Sequence, residues 1–251
     1  MRYRRIAHGN DNDKNGFGMR VEQIKADVVI VAAGSGRRMG GGLPKQFLHL
    51  GGKPVLLWSL EVFQNHPSVE HIVVVGQDDW LSYIANEIID TFGVSKVKKI
   101  VSGGERRQDS VLAGIRALEA DRPVLVHDAA RPFITLALID RVLAGMAGAD
   151  ACVPGIPVAD TVKRIDADWV VETPNRDTLR LIQTPQAFQR HALLAYFEQT
   201  ENANRTFTDE AAMVEFFGGK VRVVEGEPFN IKITRQIDLK ILEKVLEEKG
   251  F

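Results

Sequence analysis

A glycine-rich, cationic loop follows an apolar run in "VVIVAAGSGRRMGGGLPKQF", Val28 to Phe47. Ala32 and Ala33 close the run, Gly34 and Gly36 open the loop, and Arg37, Arg38 and Lys45 come next. Glycines let a backbone pass close to a ligand with its N–H groups turned inward. The cations add fixed positive charge, and Pro44 restricts the backbone on which Lys45 is presented. Such a set suits a polyphosphate. The dinucleotide fingerprint does not fit, because Met39 stands where its third glycine belongs and no acid follows at the expected distance. A Walker loop does not fit either, since the Gly-Lys pairs are followed by Pro54 and Val221.

Three more stretches carry chemistry. "VHDAARPF" ends an apolar run on Asp128 and Arg131. A carboxylate at a strand end suits Mg²⁺, a hard cation that prefers carboxylate and phosphate oxygens; the plainer alternative is an acid capping the next turn. His127 reads as packing, because magnesium does not favour imidazole. "GGERRQDS", Gly103 to Ser110, opens a helix whose free N–H groups could receive oxygens of a base or ribose. Asp109 or Ser110 stands near the cap, with Ser110 the candidate N-cap from spacing, and Arg106 and Arg107 read as facing solvent. "FNIKIT" puts Lys232 opposite Ile231 and Ile233 in a short strand, where it is either a functional cation or a charge guarding a sheet edge.

The elements that would position these groups alternate in type. "DVVIVAA", "HIVVVG", "VKKIVSG", "PVLVHDAARPF" and "DACVPGIPV" read as strands, with helical patterns such as "PVLLWSLEVFQNH" and "DSVLAGIRALEA" between them. That order predicts an α/β fold, Rossmann-like, with a mostly parallel twisted sheet and helices on both faces. Ligands of such sheets sit at the carboxyl ends of the strands, where the glycine loop and Asp128 both fall. Residues 160–188 break the pattern with strand-like pieces too thin in apolar content for a core of their own, so they must lie on something else. "TDEAAMVEF" reads as a helix start with Thr208 as cap.

The chain's 251 residues suit one large domain and leave no room for a second fused enzyme. Hydrophobic residues make up 45% and charged residues 26%, and the net charge of −1 gives no bulk pull toward nucleic acid or a membrane surface. No apolar run approaches the ~20 residues of a membrane span. The single cysteine, Cys152, rules out an internal disulfide and fits a cytoplasmic location. Residues 1–24 read as a disordered extension.

The loop "AAGSGRRMGGGLPKQF" resembles the signature loop of sugar-phosphate nucleotidyltransferases of GT-A-like fold. "SGGERRQDSVLAGI", "VHDAARPF", "DTVKR", "PNRDTLRLIQTPQAF", "TDEAAMVE" and "EGEPFNIKIT" follow in the order found in the 2-C-methyl-D-erythritol 4-phosphate cytidylyltransferase family. The resemblance runs over about residues 26–246. It implies one nucleotidyltransferase domain over 25–251, with 157–184 a β-arm that reaches into a second subunit of a homodimer. It implies transfer of CMP from CTP to methylerythritol phosphate with Mg²⁺ on Asp128 and release of pyrophosphate. Arg38, Lys45 and Lys232 would be catalytic. Ala32, Ala33, Gly34, Gly36, Gly104, Glu105, Ser110 and Asp128 would bind the nucleotide, and Arg131, Thr161, Arg176 and Thr208 the acceptor. Glu105 stands where the family also shows Asp. Ribitol 5-phosphate is the competing acceptor. A nicotinamide dehydrogenase and a non-catalytic nucleotide-binding module are the competing classes.

Overall fold

Val28, Val29 and Ile30 are wholly buried, with alternate side chains in two different cores. The run containing them, Ala26–Val31, is β1, the middle of the sheet. The computed structural model describes residues 24–34, 43–203 and 205–249. The extension expected over 1–24 lies outside the described residues except for Ile24, and so do Gly36, Arg37 and Arg38.

After β1 come two short strands, β2 (His49–Leu50) and β3 (Lys53–Pro54), then α1 (Val55–Asn65) and β4 (Val69–Gly76). The next helical stretch starts as α2 (Leu81–Tyr83), widens to π-type turns over Ile84–Asp90, and stops near Gly93, whose φ of 64° suits glycine. Then follow β5 (Val97–Ser102), α3 (Arg107–Ala117), β6 (Val124–Asp128), α4 (Leu136–Ala144) and β7 (Ala151–Pro157). The expected excursion carries β8 (Arg164–Asp166), β9 (Trp169–Glu172), β10 (Arg180–Ile182) and β11 (Gln186–Phe188). The chain finishes with α5 (Arg190–Ala203), α6 (Glu210–Phe216), β12 (Val221–Glu225) and α7 (Gln236–Lys249).

β1 pairs in parallel with β4 on one side and β6 on the other, and β5 extends the β4 side. β12 runs parallel to β7. β11 lies between β6 and β7, antiparallel to both, and β10 continues along β7 in the same sense. The sheet is therefore mostly parallel with reversed pieces, the α/β architecture expected. Between β1 and β6 the chain switches direction of growth, which opens a crevice at the carboxyl ends of those two strands. The β8–β9 hairpin forms a separate two-stranded sheet.

Helices cover both faces. Leu56, Leu57, Leu60 and Phe63 of α1 pack with Leu138, Ile139 and Val142 of α4 on one side. Val111 and Ile115 of α3 pack with residues of α5 and α6 on the other. Three local expectations need correction. Residues 229–233 form a loop rather than a strand, although Ile233 is still buried and Lys232 still points away from it. Ser110 does not cap α3: the helix begins three residues earlier, and Asp109 reaches back to the Arg106 N–H at 3.0 Å. Thr208 does not cap α6: Asp209 does, accepting from the Ala212 N–H at 2.8 Å.

Gly114 faces the sheet in α3. A Cβ there would lie 2.4 Å from Val29 Cγ1 and 2.8 Å from Val75 Cγ2. Gly→Ala inside a helix ordinarily gains about 1 kcal/mol, whereas overpacking costs about 1–3 kcal/mol. Gly114→Ala is therefore expected to lower stability despite the better helix former. Urea unfolding checks the sign, and an unchanged or higher midpoint would show that α3 can shift away from the sheet.

Candidate active site

A cleft of about 590 Å³ opens at the β1–β6 crevice. Ala33 and Gly34 form one wall and Gly103 to Arg107 another, with Asp128 at the base beside Lys45 and Lys232. Gly34 has open space where a Cβ would be. Gly103 is required for a different reason: a Cβ there would lie 2.5 Å from the Ala33 Cβ, so the two loops touch at that point.

Lys45 opens a single 3₁₀ turn, Lys45–Phe47, preceded by Pro44 in extended geometry. Phe47 pins that turn into the core, against Trp80 and Tyr83 with ring centroids 5.0 and 5.2 Å away. Gln46 is buried, and its amide donates to the carbonyls of Ala32 and Gly34, which ties the end of the glycine loop back to its start. Lys45 Nζ donates to the Ile233 carbonyl at 2.9 Å, so the turn also meets the Lys232 loop.

Asp128 is the electrostatic centre. Lys232 Nζ lies 2.5 Å from one carboxylate oxygen and Arg107 Nε 3.1 Å from the other. Burial alone would raise its pKa, but Arg107, Lys232 and Arg131 outweigh burial and hold the group far below the usual carboxylate range. Arg107 is itself bidentate through Nη1 to Glu210, at 2.8 and 2.9 Å. Burial works against its charge, and the two carboxylates more than restore it. Glu210 is buried deeply enough that its pKa stays raised even beside Arg107.

The backbone behind Asp128 is held as firmly. Its N–H donates to Thr184 Oγ1 at 3.1 Å, and that hydroxyl is 3.0 Å from His127 Nδ1. His127 Nε2 is 3.1 Å from the Arg131 carbonyl. A carbonyl can only accept, so Nε2 carries the proton and Nδ1 accepts from Thr184. The ring is wholly buried, edge-on to Phe63.

Of the positions singled out by sequence, Ala33, Gly34, Lys45, Gly104, Glu105, Ser110, Asp128 and Lys232 line this cleft. Ala32 lies just behind it, buried, with its N–H on the Val75 carbonyl. Ser110 Oγ accepts from the Gly104 N–H and so shapes the loop ahead of α3. Arg131 turns away: its guanidinium donates to the carbonyls of Asn230, in the loop that carries Lys232, and of Ile182, at the root of the arm. Thr161, Arg176 and Thr208 are exposed, and Arg176 donates to the Ala159 carbonyl at 2.7 Å.

Arg107 is the main correction. Expected to face solvent, it lies against Asp128 and Glu210. Helical spacing carried the signal, because Arg107, Val111 and Ile115 are four apart and share the buried face of α3. Glu210 stands likewise with Met213 and Val214. Gln46 had no such signal.

The family model of 2-C-methyl-D-erythritol 4-phosphate cytidylyltransferase (IspD) matches residues 26–248. The chain belongs to this family. The cytidylyltransferase of that name from Halalkalibacterium halodurans is 42% identical over 226 residues, covering 90% of this chain and 99% of the relative. That of Geobacter metallireducens is 40% identical over 225 residues, covering 88% and 97%. The solved 4-diphosphocytidyl-2C-methyl-D-erythritol synthase of Anaerococcus prevotii superposes with a TM-score of 0.80 at 32% identity, covering 90% of this chain and 98% of that one. The Thermus thermophilus cytidylyltransferase gives 0.72 at 30% identity, covering 89% and 100%.

His127 gives this cytidylyltransferase-family fold a pH signature. Burial holds its pKa down to about 3, against 6.5 for the free side chain. Between those values the unfolded chain binds the extra proton, so stability must fall as pH drops from 6.5 toward 3, by up to about 1.4 kcal/mol per pH unit. His127→Phe is expected to flatten that slope by close to one proton, whatever it does to stability at pH 7. Urea midpoints from pH 7 to 4 measure it, and an unaltered slope would mean that the imidazole charges in place.

Proposed function

We propose that this chain transfers the cytidylyl group of CTP to 2-C-methyl-D-erythritol 4-phosphate, giving 4-diphosphocytidyl-2-C-methyl-D-erythritol and pyrophosphate. The carrying observation is the meeting of Lys45, Lys232, Arg107 and Asp128 at the crevice, beside the loop over Gly103 and Gly104, in a chain of this family. An oxygen of the acceptor's phosphate attacks the α-phosphorus; the new P–O bond forms as the α–β bridge breaks, and pyrophosphate carries off the electron pair. With a second pKa near ~6, that phosphate is already a nucleophile, so no general base is needed. What remains is positioning and charge neutralisation.

Lys45 and Lys232 take the triphosphate. Both ammonium groups converge on the Asp128 end of the cleft, one on the Ile233 carbonyl and the other on Asp128 itself. Arg38 joins them on sequence grounds. Gly104, Glu105 and Ser110 receive the nucleoside, next to the N–H groups ahead of α3. Mg²⁺ suits Asp128, a carboxylate held ionised by its neighbours. Among the described residues there is no cluster of three or more ligating side chains, so such an ion would complete its shell with phosphate oxygens and water, as Mg²⁺ commonly does. When bound it supplies further neutralisation of the phosphates. A cytoplasmic setting is part of this reading, supported by the lone Cys152, buried as a thiol whose pKa burial pushes up to about 11.

The acceptor side is completed by a second copy. Ile165, Trp169 and Val170 on the β8–β9 hairpin are 62%, 78% and 58% exposed, more apolar surface than a two-stranded ribbon can carry alone in water. Covered by a partner, the arm would bring Thr161 and Arg176 to the neighbour's cleft, alongside Thr208, while Arg131 braces the backbone behind it through the Asn230 and Ile182 carbonyls. Arg176 suits a phosphomonoester, because its planar fork binds paired anionic oxygens.

Pyrophosphate release from CTP with methylerythritol phosphate and ribitol 5-phosphate, side by side, tests the acceptor; faster turnover with the ribitol compound would overturn it. Lys45→Ala and Lys232→Ala are each expected to lower kcat by at least ~100-fold, the scale of a lost transition-state donor. A variant with near-normal kcat would remove its lysine from the mechanism. Trp169→Glu is expected to shift the protein from dimer to monomer in sedimentation; a dimer that survives a charge there would move the interface off the arm.

A further inference from the structure

The first turn of α3 grips a second segment of the chain. Gln108 is buried, and its side chain spans two backbone groups: Oε1 accepts from the Phe207 N–H at 3.1 Å, and Nε2 donates to the Arg205 carbonyl at 3.3 Å. Arg106 Nη1 donates to Thr206 Oγ1 at 3.3 Å. Arg107 holds the Glu210 carboxylate in its bidentate pair. Three consecutive residues, the cap of α3 and its first two helical residues, therefore fasten residues 205–210 at four points. Gln186 of β11 adds a fifth, donating to Asp209 Oδ2 at 2.9 Å. The loop running into that turn, Gly103 to Glu105, is a wall of the cleft, and Arg107 reaches Asp128 at its base.

Gln108 stands apart from its two neighbours. Arg106 and Arg107 line the cleft, whereas Gln108 does not, and among the described residues its side chain bonds to the backbone of residues 205–207. Thr208 comes next in the chain. It is exposed, and α6 begins two residues later. Where Thr208 sits relative to the cleft is thus set by bonds on either side of it: Gln108 before, and Glu210 with Asp209 after.

We propose that Gln108 and the Arg107–Glu210 pair are positioning residues for the acceptor, holding residues 205–210 in register with the nucleotide wall so that Thr208 is presented to the incoming phosphate. This rests on the reading of Thr208 as an acceptor contact. The physical reason is entropic: a segment fastened at four points has already lost the freedom that acceptor binding would otherwise have to remove. Gln108 acts on the acceptor alone, because it does not meet the space the nucleotide would fill. Glu210 acts on both substrates, because its loss also frees the guanidinium that steadies Asp128.

The test compares Gln108→Ala and Glu210→Gln with the parent chain, by steady-state kinetics and by backbone hydrogen exchange. In Gln108→Ala the KM for methylerythritol phosphate is expected to rise about 10-fold, with the KM for CTP within about 2-fold, the pattern of lost binding on one substrate only. Glu210→Gln is expected to raise both KM values and lower kcat. Exchange at Phe207 should speed up at least ~10-fold in Gln108→Ala without spreading to β1 or β6, a readout independent of any reaction. Parallel rises in both KM values in Gln108→Ala, or exchange that spreads through the sheet, would make Gln108 merely structural and overturn the proposal. So would an acceptor KM and a Phe207 exchange rate that both stay put. If the parent chain turns over no methylerythritol phosphate but Phe207 exchange still responds, the functional reading fails while the fastening itself stands.

Discussion

The site is organised around one buried carboxylate. Asp128 ends β6 where burial disfavours its charge, and two cations from distant parts of the chain, Arg107 and Lys232, keep it ionised. Removing either cation would leave the buried carboxylate short of a counter-charge, so the three groups specify one another's positions. Arg107 fixes the start of α3, and with it the loop on one wall of the cleft. Lys232 fixes the loop over 229–233, to which Lys45 is also joined through the Ile233 carbonyl. A nucleotide's phosphates would enter a field already set by these contacts, which is the condition under which electrostatic stabilisation is strongest.

Behind the carboxylate runs a neutral relay. Thr184 accepts from the Asp128 N–H and donates to His127, and His127 donates to the Arg131 carbonyl. Thr184 opens the turn into β11, so the strand that crosses between β6 and β7 also anchors the strand end that carries the acid. Fold and site share those bonds.

Much of this was legible in the sequence. The β–α alternation, the break after β7 and the placing of the glycine loop and Asp128 at strand ends follow from apolar patterning and from the rule that crevices form there, whereas the place of Lys232 beside them comes only from the family resemblance. Boundaries were less legible. A serine or threonine near a helix start looks like a cap, yet Arg106 is the cap residue of α3, with Asp109 reaching back to its N–H, and Asp209 caps α6, which leaves Ser110 and Thr208 to other roles. The charge of Arg107 points to solvent while its helical phase points to the core, and a cation on a buried stripe implies a buried anion. Arg131 could not be placed from sequence, since its carbonyl partners belong to Asn230 and Ile182, far along the chain.

β6 and β7 share no ladder among the described residues; each is zipped to the three-residue β11, which arrives only after the whole hairpin excursion. During synthesis every strand of the β1–β4–β5–β6 half has emerged before β11 does, while β7 and β12 must wait for the returning strand to splice them on. That late closure is a high-separation contact of the kind that slows folding. A deletion that trimmed the arm back through Gln186 would take the splice with it and leave two sheets where there had been one.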